Sequence, residues 1–390
     1  MTGVYLDHAA TTPLRPEVRD AWLAAQDNVG NASSIHGAGQ RARRVLEEAR
    51  ERLAAVLGCQ AIEVVLTSGG TESVSLALQG LWRRRPAGAS RIVLPDGEHH
   101  ATLDTVEWLV AHEGAQASPV PLDGFGRVRA ADFAATLHGG AGAALATALV
   151  AANETGTLND AAGIAGAAAA AGVPLHLDAV AALGHAPVDF AAWRRDAPAG
   201  AGLVAMSVSG HKIGAPVGTG ALVVSRTAAL EPIVHGGGQQ RGLRSGTQDV
   251  AGAVALAVAA ELAEAERAAE TERLWALRER LLARLAAELP EAVVLGHPES
   301  RLPGTVHLHL PGAAGESLLF LLDERGVSVS TGSACQAGVA EPSHVVMALG
   351  YSEAEARQVL RVSMGRTTTE ADVDALADAL PAAYARLTRR

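Results

Sequence analysis

Short apolar runs recur along the first 224 residues, separated by helical or glycine-rich stretches. Six of them have the length of a strand: 63–66, 91–94, 145–151, 174–177, 202–207 and 220–224. Because they are largely apolar rather than alternating, we expect them to be buried on both faces. Buried strands separated by crossover segments predict an α/β fold, with a mostly parallel sheet covered by helices on both sides.

Two longer stretches have the pattern of helices. Residues 45–57 place apolar side chains at helical spacing, with charges on the opposite face. The stretch 251–289 is helical in pattern throughout and long enough to lead from one domain into another. We place the main boundary inside it, and predict a large domain of residues 15–255 and a smaller α/β domain formed by residues 1–14 and 256–390.

The composition is that of a chain with a large core: 390 residues, 48% hydrophobic and 19% charged, which excludes a disordered polymer. The net charge of −10 argues against a general nucleic-acid binder, which needs a basic face. Two cysteines are too few for a disulfide framework or a Cys-only zinc site. The N-terminus does not resemble a signal peptide, and the longest apolar run, 162–175, is too short to span a bilayer. We therefore expect a soluble cytoplasmic protein.

The only lysine of the chain is Lys212, which follows Ser209 and His211 and precedes a glycine-rich stretch. The chain has 32 lysine and arginine residues in all, and the others are all arginines. Lysine can lose its proton in an apolar setting and react with a carbonyl group, whereas arginine cannot. We interpret Lys212 as a residue that forms a covalent bond with a carbonyl compound; the alternative is a solvated lysine without a role.

Asp178 follows directly on the apolar run 174–177. In pyridoxal-phosphate enzymes an acid pairs with the ring nitrogen of the cofactor and keeps the ring an electron sink. The separation 212 − 178 = 34 residues fits two neighbouring strands of one sheet. This spacing supports the cofactor role, while a strand-end or helix-capping aspartate remains the alternative.

Two further loops follow predicted strands. The loop 67–73 contains Gly70 and Thr71 before an apolar helix, and free amides and glycines at a helix N-terminus bind phosphate. A simple Ser or Thr helix cap is the alternative. His99, after the run 91–94, could stack on a ring, cap a helix or bind metal. No cysteine or second spaced histidine supports metal, so we predict no metal site.

Cys335 lies among glycine, serine and alanine residues, which favours an exposed, nucleophilic thiol over the more common buried and inert one. Cys59 lies at the end of a predicted helix, where the dipole disfavours a thiolate, and we interpret it as structural. Arg361 lies within an apolar strand pattern. If buried it needs an anion, either a substrate carboxylate or an Asp or Glu of the chain.

The order of these motifs resembles that of the pyridoxal-phosphate-dependent cysteine desulfurases, which supply sulfur for iron–sulfur clusters and thiolated tRNA. The matching segments run from residues 5–13 and 30–36, through the motifs SGHK, RSGT and GSAC, to Arg361, nearly the whole chain. The loop that begins at Cys335 resembles the long loop of the housekeeping class. The resemblance implies a fold-type-I transferase that converts L-cysteine to L-alanine. It also implies a homodimer that works with an iron–sulfur scaffold or another sulfur-acceptor protein.

The resemblance further implies a role for each candidate residue. Lys212 would hold pyridoxal 5′-phosphate covalently, and Cys335 would take the sulfur as a persulfide. The remaining roles concern the ring, the phosphate and the substrate. They are Asp178 at the ring nitrogen, His99 stacked on the ring and moving protons, and Asn153 by the ring hydroxyl or the substrate; Gly70, Thr71, Ser209 and His211 at the phosphate; Thr247 at the phosphate of the other subunit; and Arg361 with Asn31 at the carboxylate of cysteine.

The sequence departs from the family pattern at three positions. Ala181 stands where the family usually has a glutamine that contacts the ring hydroxyl, and Gln240 and Ser75 replace a usual glutamate and asparagine. Only the first change would touch the cofactor. Two alternatives to a cysteine desulfurase remain: a selenocysteine lyase, and a catalytically weakened paralogue that acts as a binding protein, which Ala181 alone favours.

Overall fold

The computed structural model describes residues 3–332 and 341–388. Twelve strands lie within these residues. In chain order they are β1 (Val4–Tyr5), β2 (Val64–Thr67), β3 (Arg91–Pro95), β4 (Gln116–Val120), β5 (Ala143–Leu149), β6 (Pro174–Asp178), β7 (Gly202–Ser209), β8 (Gly220–Val224), β9 (Val293–Leu295), β10 (Thr305–His309), β11 (Val327–Ser328) and β12 (Val359–Ser363).

The largest sheet has seven strands in the order β2-β8-β7-β6-β5-β3-β4. The five strands from β7 to β4 are parallel, whereas β8 runs antiparallel to both β7 and β2. Each of the six apolar runs overlaps one of these strands, and the predicted α/β class is confirmed. Two small sheets complete the set, an antiparallel β12-β10-β9 and a parallel pair of β1 with β11.

Twelve α-helices lie within the described residues. They are α1 (Pro16–Gln26), α2 (Gly37–Leu57), α3 (Gly70–Arg83), α4 (His100–Glu113), α5 (Ala130–His138), α6 (Ala161–Ala170), α7 (Phe190–Arg194), α8 (Val250–Glu288), α9 (Gly315–Asp323), α10 (His344–Ala348), α11 (Glu353–Ala356) and α12 (Glu370–Thr388). The predicted helices at 45–57 and 251–289 correspond to the second half of α2 and to α8. None of the described helices is long and apolar enough to cross a bilayer.

The long helix α8 belongs to two separate hydrophobic cores. Its first half, with Leu256 and Ala260, packs into the core of the seven-stranded sheet. Its second half, with Leu277 and Leu281, packs instead with β10, β12 and α12. A run of strong helix formers lets one helix continue from one core into the other. The division of the chain into domains at residue 255 stays a prediction.

The parallel strands bring the predicted site residues together. The strands β3, β5, β6 and β7 all end at one edge of the large sheet. His99 and Asn153 follow β3 and β5, Asp178 is the last residue of β6, and Lys212 lies in the turn after β7. This is the edge at which open α/β sheets bind their ligands.

Candidate active site

A cavity of about 340 Å³ opens at this edge. Its walls include nine of the residues that the sequence motifs selected: Gly70, Thr71, His99, Asn153, Asp178, Ser209, His211, Lys212 and Arg361. The 34-residue separation of the acid and the lysine has the expected origin, because Asp178 ends β6 and Lys212 lies in the turn that follows its parallel neighbour β7.

Lys212 is held against the N-terminal segment of the chain. Its Nζ donates hydrogen bonds to the carbonyl oxygens of Ala10, at 3.1 Å, and Ala9. Burial and the nearby ammonium lower the pKa values of His99 and His211 to about 4 each. Both imidazoles are therefore uncharged at neutral pH.

Asp178 is 3% exposed, and its Oδ1 accepts a hydrogen bond of 2.8 Å from the backbone amide of Val180. This hydrogen bond is the kind that a strand-end aspartate makes, which was the alternative role for Asp178 in the sequence analysis. Burial nevertheless raises the pKa of Asp178 to about 6, although the bond and Lys212 act in the opposite direction. A cationic group beside this carboxylate would stabilise its charged form, as a protonated ring nitrogen does.

His99 is the N-cap of α4. Its Nδ1 accepts a hydrogen bond of 3.0 Å from the backbone amide of Ala101. Helix capping, one of the three roles that the sequence allowed for His99, is thus present. Because Nδ1 is an acceptor, the proton of the neutral ring lies on Nε2, and His99 can donate only from that atom.

The start of α3 offers a cradle for an anion. Gly69 has a φ of +151°, which favours glycine, and a Cβ on Gly70 would lie 2.7 Å from Val180. Gly70 and Thr71 at the helix start line the cavity, and no side chain of the described residues caps this end of the helix. The hydroxyl of Ser209, which also lines the cavity, is buried and has no hydrogen-bond partner among the described residues.

Arg361 on β12 is 5% exposed and pairs with a carboxylate of the chain. Its Nη2 donates to Asp7 Oδ1 at 3.0 Å, and its Nη1 donates to the carbonyl oxygen of Asn153 at 2.9 Å. The internal carboxylate that the sequence left as an alternative is therefore present. At this contact Nε of Arg361 and Oδ1 of Asn153 are buried and have no hydrogen-bond partner among the described residues.

Comparisons with known proteins agree with this geometry. The family model for class-V aminotransferases matches residues 4–376. An IscS-like cysteine desulfurase from Mycobacterium tuberculosis (strain ATCC 25618 / H37Rv) is 47% identical over 389 residues, covering 99% of this chain and 97% of the relative. The chain belongs to the cysteine desulfurases of the class-V aminotransferase family. The resemblance, fold type and enzyme class expected from the sequence are thereby confirmed.

Solved structures support the same assignment for this desulfurase. A NifS-like protein superimposes with a TM-score of 0.89 at 29% identity, covering 99% of this chain and all of the other. The structure titled SspA in complex with cysteine superimposes with a TM-score of 0.78, also at 29% identity, and covers 92% and 98% of the two chains. Enzymes of this family use pyridoxal phosphate.

The residues of the cavity fit that cofactor. The hydroxyl of Ser209, which has no partner among the described residues, and the N-terminal amides of α3, which no described side chain caps, suit a phosphate group. A buried carboxylate, Asp178, and an amine, Lys212, line the same cavity, as a pyridine ring and an aldehyde require. No cluster of three potential metal ligands occurs in residues 3–332 and 341–388.

Two predicted residues do not line the cavity, and a third lies outside the described residues. Asn31 is exposed, and its Oδ1 accepts a hydrogen bond of 2.9 Å from the amide of Ser33. Thr247 borders a separate cavity of about 180 Å³ with Arg244. Cys335 lies outside the described residues. The roles of these three residues, like those of the other site residues, stay predictions.

Sequence reasoning missed three residues that adjoin the site. Asp7, the partner of Arg361, belongs to a matched motif but received no role. Glu98 is 1% exposed; burial raises its pKa to about 8, and its Oε1 accepts a hydrogen bond of 2.8 Å from the amide of Leu149. His185 lines the cavity. Asp7 lies within a matched segment and Glu98 directly precedes His99, so an acid in a quoted motif was the available indication for these two; no quoted motif contains His185.

Proposed function

We propose that this desulfurase binds pyridoxal 5′-phosphate in the 340 Å³ cavity and converts L-cysteine to L-alanine, with the sulfur passing to Cys335 as a persulfide. The observation that carries the proposal is the convergence of Asp178, Lys212 and the unpartnered Ser209 hydroxyl at one edge of the sheet. These three groups suit the ring nitrogen, the aldehyde and the phosphate of one molecule.

When bound, the cofactor supplies an electron sink that stabilises negative charge at the α-carbon of the substrate. Lys212 would hold it covalently through Nζ, and the Asp178 carboxylate would favour a protonated ring nitrogen. The Ser209 hydroxyl, with His211, Thr71 and the amides at Gly70, would hold the phosphate. His99, neutral and protonated at Nε2, would provide a proton donor in the same cavity.

The substrate binds through its carboxylate at Arg361. The guanidinium keeps its Nη groups on Asp7 and Asn153, and its Nε has no partner in residues 3–332 and 341–388. The Asn153 side chain, with its own unpartnered oxygen, can accept a hydrogen bond from the amino group of cysteine or from the cofactor. Asn31, exposed in this chain, aids carboxylate binding in the family pattern.

Sulfur transfer needs a second thiol, which Cys335 supplies. Its thiolate attacks the sulfur of the substrate, so that a new S–S bond forms as the substrate C–S bond breaks. The electron pair of the broken bond stays with carbon, which takes up a proton to become the methyl group of alanine. The persulfide is then open to attack by a thiol of a scaffold or other acceptor protein.

The working unit that we propose is a homodimer. Thr247 does not line the cavity of its own chain but borders a second cavity about half as large. This placement supports a contact with the phosphate bound by a second copy. Molar mass in solution by light scattering tests the dimer, and a monomer at working concentration that retains full turnover would contradict it.

The function is tested by incubating the purified, cofactor-loaded protein with L-cysteine and a reductant. We expect equal amounts of alanine and sulfide, together with a persulfide on the protein before reduction. Selenocysteine is tested in a parallel reaction, and we expect turnover of both selenocysteine and cysteine. Turnover of selenocysteine alone would indicate the lyase alternative, and turnover of neither would indicate a binding protein.

Replacing Arg361 with alanine should chiefly weaken the capture of L-cysteine. A charge-assisted hydrogen bond in a buried site contributes about 1.5–3 kcal/mol, so KM should rise roughly 10- to 100-fold. Steady-state kinetics measure the effect, and Asp7→Asn serves as a control that loses the internal ion pair but keeps the guanidinium. If KM changes only in the Asp7 variant, the arginine serves the fold rather than the substrate.

Replacing Ala181 with glutamine should restore a donor to the cofactor. Ala181 lines the cavity and has no polar group. One added hydrogen bond contributes on the order of 1 kcal/mol, so we expect a shift in the absorbance of the bound cofactor and its pH titration, and an increase in kcat of about fivefold. Ala181→Met adds similar volume without a donor. Equal effects of the two variants, or none from glutamine, would show that position 181 does not contact the ring oxygen.

A further inference from the structure

Glu154 is a buried acid with no role in the reaction described above. It directly follows Asn153 after β5 and is 1% exposed. Burial raises its pKa, while the hydrogen bond from Ser343 acts against that rise. A carboxyl group in the interior costs free energy unless it is well hydrogen-bonded, so its contacts at this place require an explanation.

Those contacts lie on both sides of one segment of the chain. The Ser343 hydroxyl, which is fully buried, donates a hydrogen bond of 2.5 Å to Oε2 of Glu154. On the other side, a Cβ on Gly332 would lie 3.0 Å from the same oxygen, so the glycine backbone is packed against the carboxyl group. Between Gly332 and Ser343 the chain carries Cys335.

The same two flanks are joined to the residues that line the cavity. Ser330 exchanges two backbone hydrogen bonds with Arg361, of 2.6 and 3.1 Å, and its hydroxyl accepts one of 3.1 Å from the amide of Gly332. On the other flank, a ring nitrogen of His344 lies 2.8 Å from the carbonyl oxygen of Glu98, next to His99. Both flanks are thus hydrogen-bonded to residues in or next to the cavity.

We infer that Glu154 is a positioning residue for sulfur transfer: it holds Gly332 and Ser343, the flanks of the segment that bears Cys335, against the loop that carries Asn153. The inference rests on the proposed function. Cofactor and substrate bind to other groups, so Glu154 acts on the attack of the thiol and not on capture of cysteine. A displacement of about 1 Å of a reacting group lowers rates by up to 100-fold.

The test uses the full, cofactor-loaded chain with Ser343→Ala and Glu154→Gln. The first removes the donor, and the second keeps the shape of the side chain but replaces the carboxyl group. We expect kcat for alanine release and the first-turnover persulfide yield to fall about tenfold or more. KM for L-cysteine and the change in cofactor absorbance on adding L-cysteine should stay within twofold of wild type. The double variant should lose no more than the worse single variant, because the two residues form one contact.

Ser352→Ala is the matched control. Ser352, the N-cap of α11, also donates to a glutamate, Glu355 Oε2 at 2.6 Å, but both side chains are exposed. An unchanged kcat in both test variants would overturn the inference. So would a loss of the spectral response to cysteine that parallels the loss of kcat, or an equal loss in the control. Wild-type protein that releases no alanine from L-cysteine would refute the proposed function itself, which is a distinct outcome.

Discussion

The Lys212→Ala variant should lose at least about 1,000-fold in the rate of alanine release. Lys212 is the only lysine of the chain and the only side chain that we propose to bind the cofactor covalently. Neighbouring His99 and His211 are neutral at pH 7 and cannot replace the amine. The absorbance of the bound cofactor measures the loss of the covalent bond, and the release of alanine measures the loss of rate.

Lys212→Arg separates charge from reactivity. A guanidinium keeps a cation near the carbonyl oxygens of Ala9 and Ala10, to which the amine donates, but it stays protonated and cannot bind an aldehyde covalently. We expect this variant to be as inactive as the alanine variant while unfolding at a temperature closer to wild type. If either variant kept wild-type turnover, the assignment of Lys212 would be wrong.

Much of the large sheet could be predicted because its central strands are buried on both faces and therefore read as continuous apolar runs. β4 was missed for the opposite reason. It is an edge strand, QASPV, with a proline and exposed side chains, so it carries no apolar run. The antiparallel direction of β8 was also missed, since a buried strand shows no direction in its composition.

The site residues likewise fall into those whose proximity could be predicted from the sequence and those whose proximity could not. Asp178 at the end of β6 and Lys212 in the turn after β7 could be expected to lie close together, because their separation of 34 residues fits two neighbouring strands of one sheet. The pairing of Arg361 with Asp7 could not be expected, because 354 residues separate them and only tertiary packing brings β12 to the N-terminal segment. The same holds for Glu154 with Ser343, which are 189 residues apart.

Cys59 lacks the readily available thiolate that sulfur transfer requires. Burial, with smaller contributions from Glu63 and Asp189, raises the pKa of Cys59 to about 12. Its thiolate is therefore scarce at neutral pH, and the thiolate is the attacking species. The structural role that the sequence assigned to Cys59 leaves Cys335 as the nucleophile that we propose.

Replacing Cys335 with serine should abolish the persulfide and lower alanine release on the order of 1,000-fold or more, because an alcohol is a far weaker nucleophile than a thiolate. The cofactor should stay bound with unchanged absorbance, since its proposed contacts, among them Lys212 and Asp178, lie elsewhere in the chain. Mass spectrometry of peptides after a single turnover locates the transferred sulfur. Cys59→Ser is the matched control and should keep wild-type turnover. Sulfur found on Cys59 in the wild-type protein, or turnover lost in the control alone, would reverse the assignment of the two thiols.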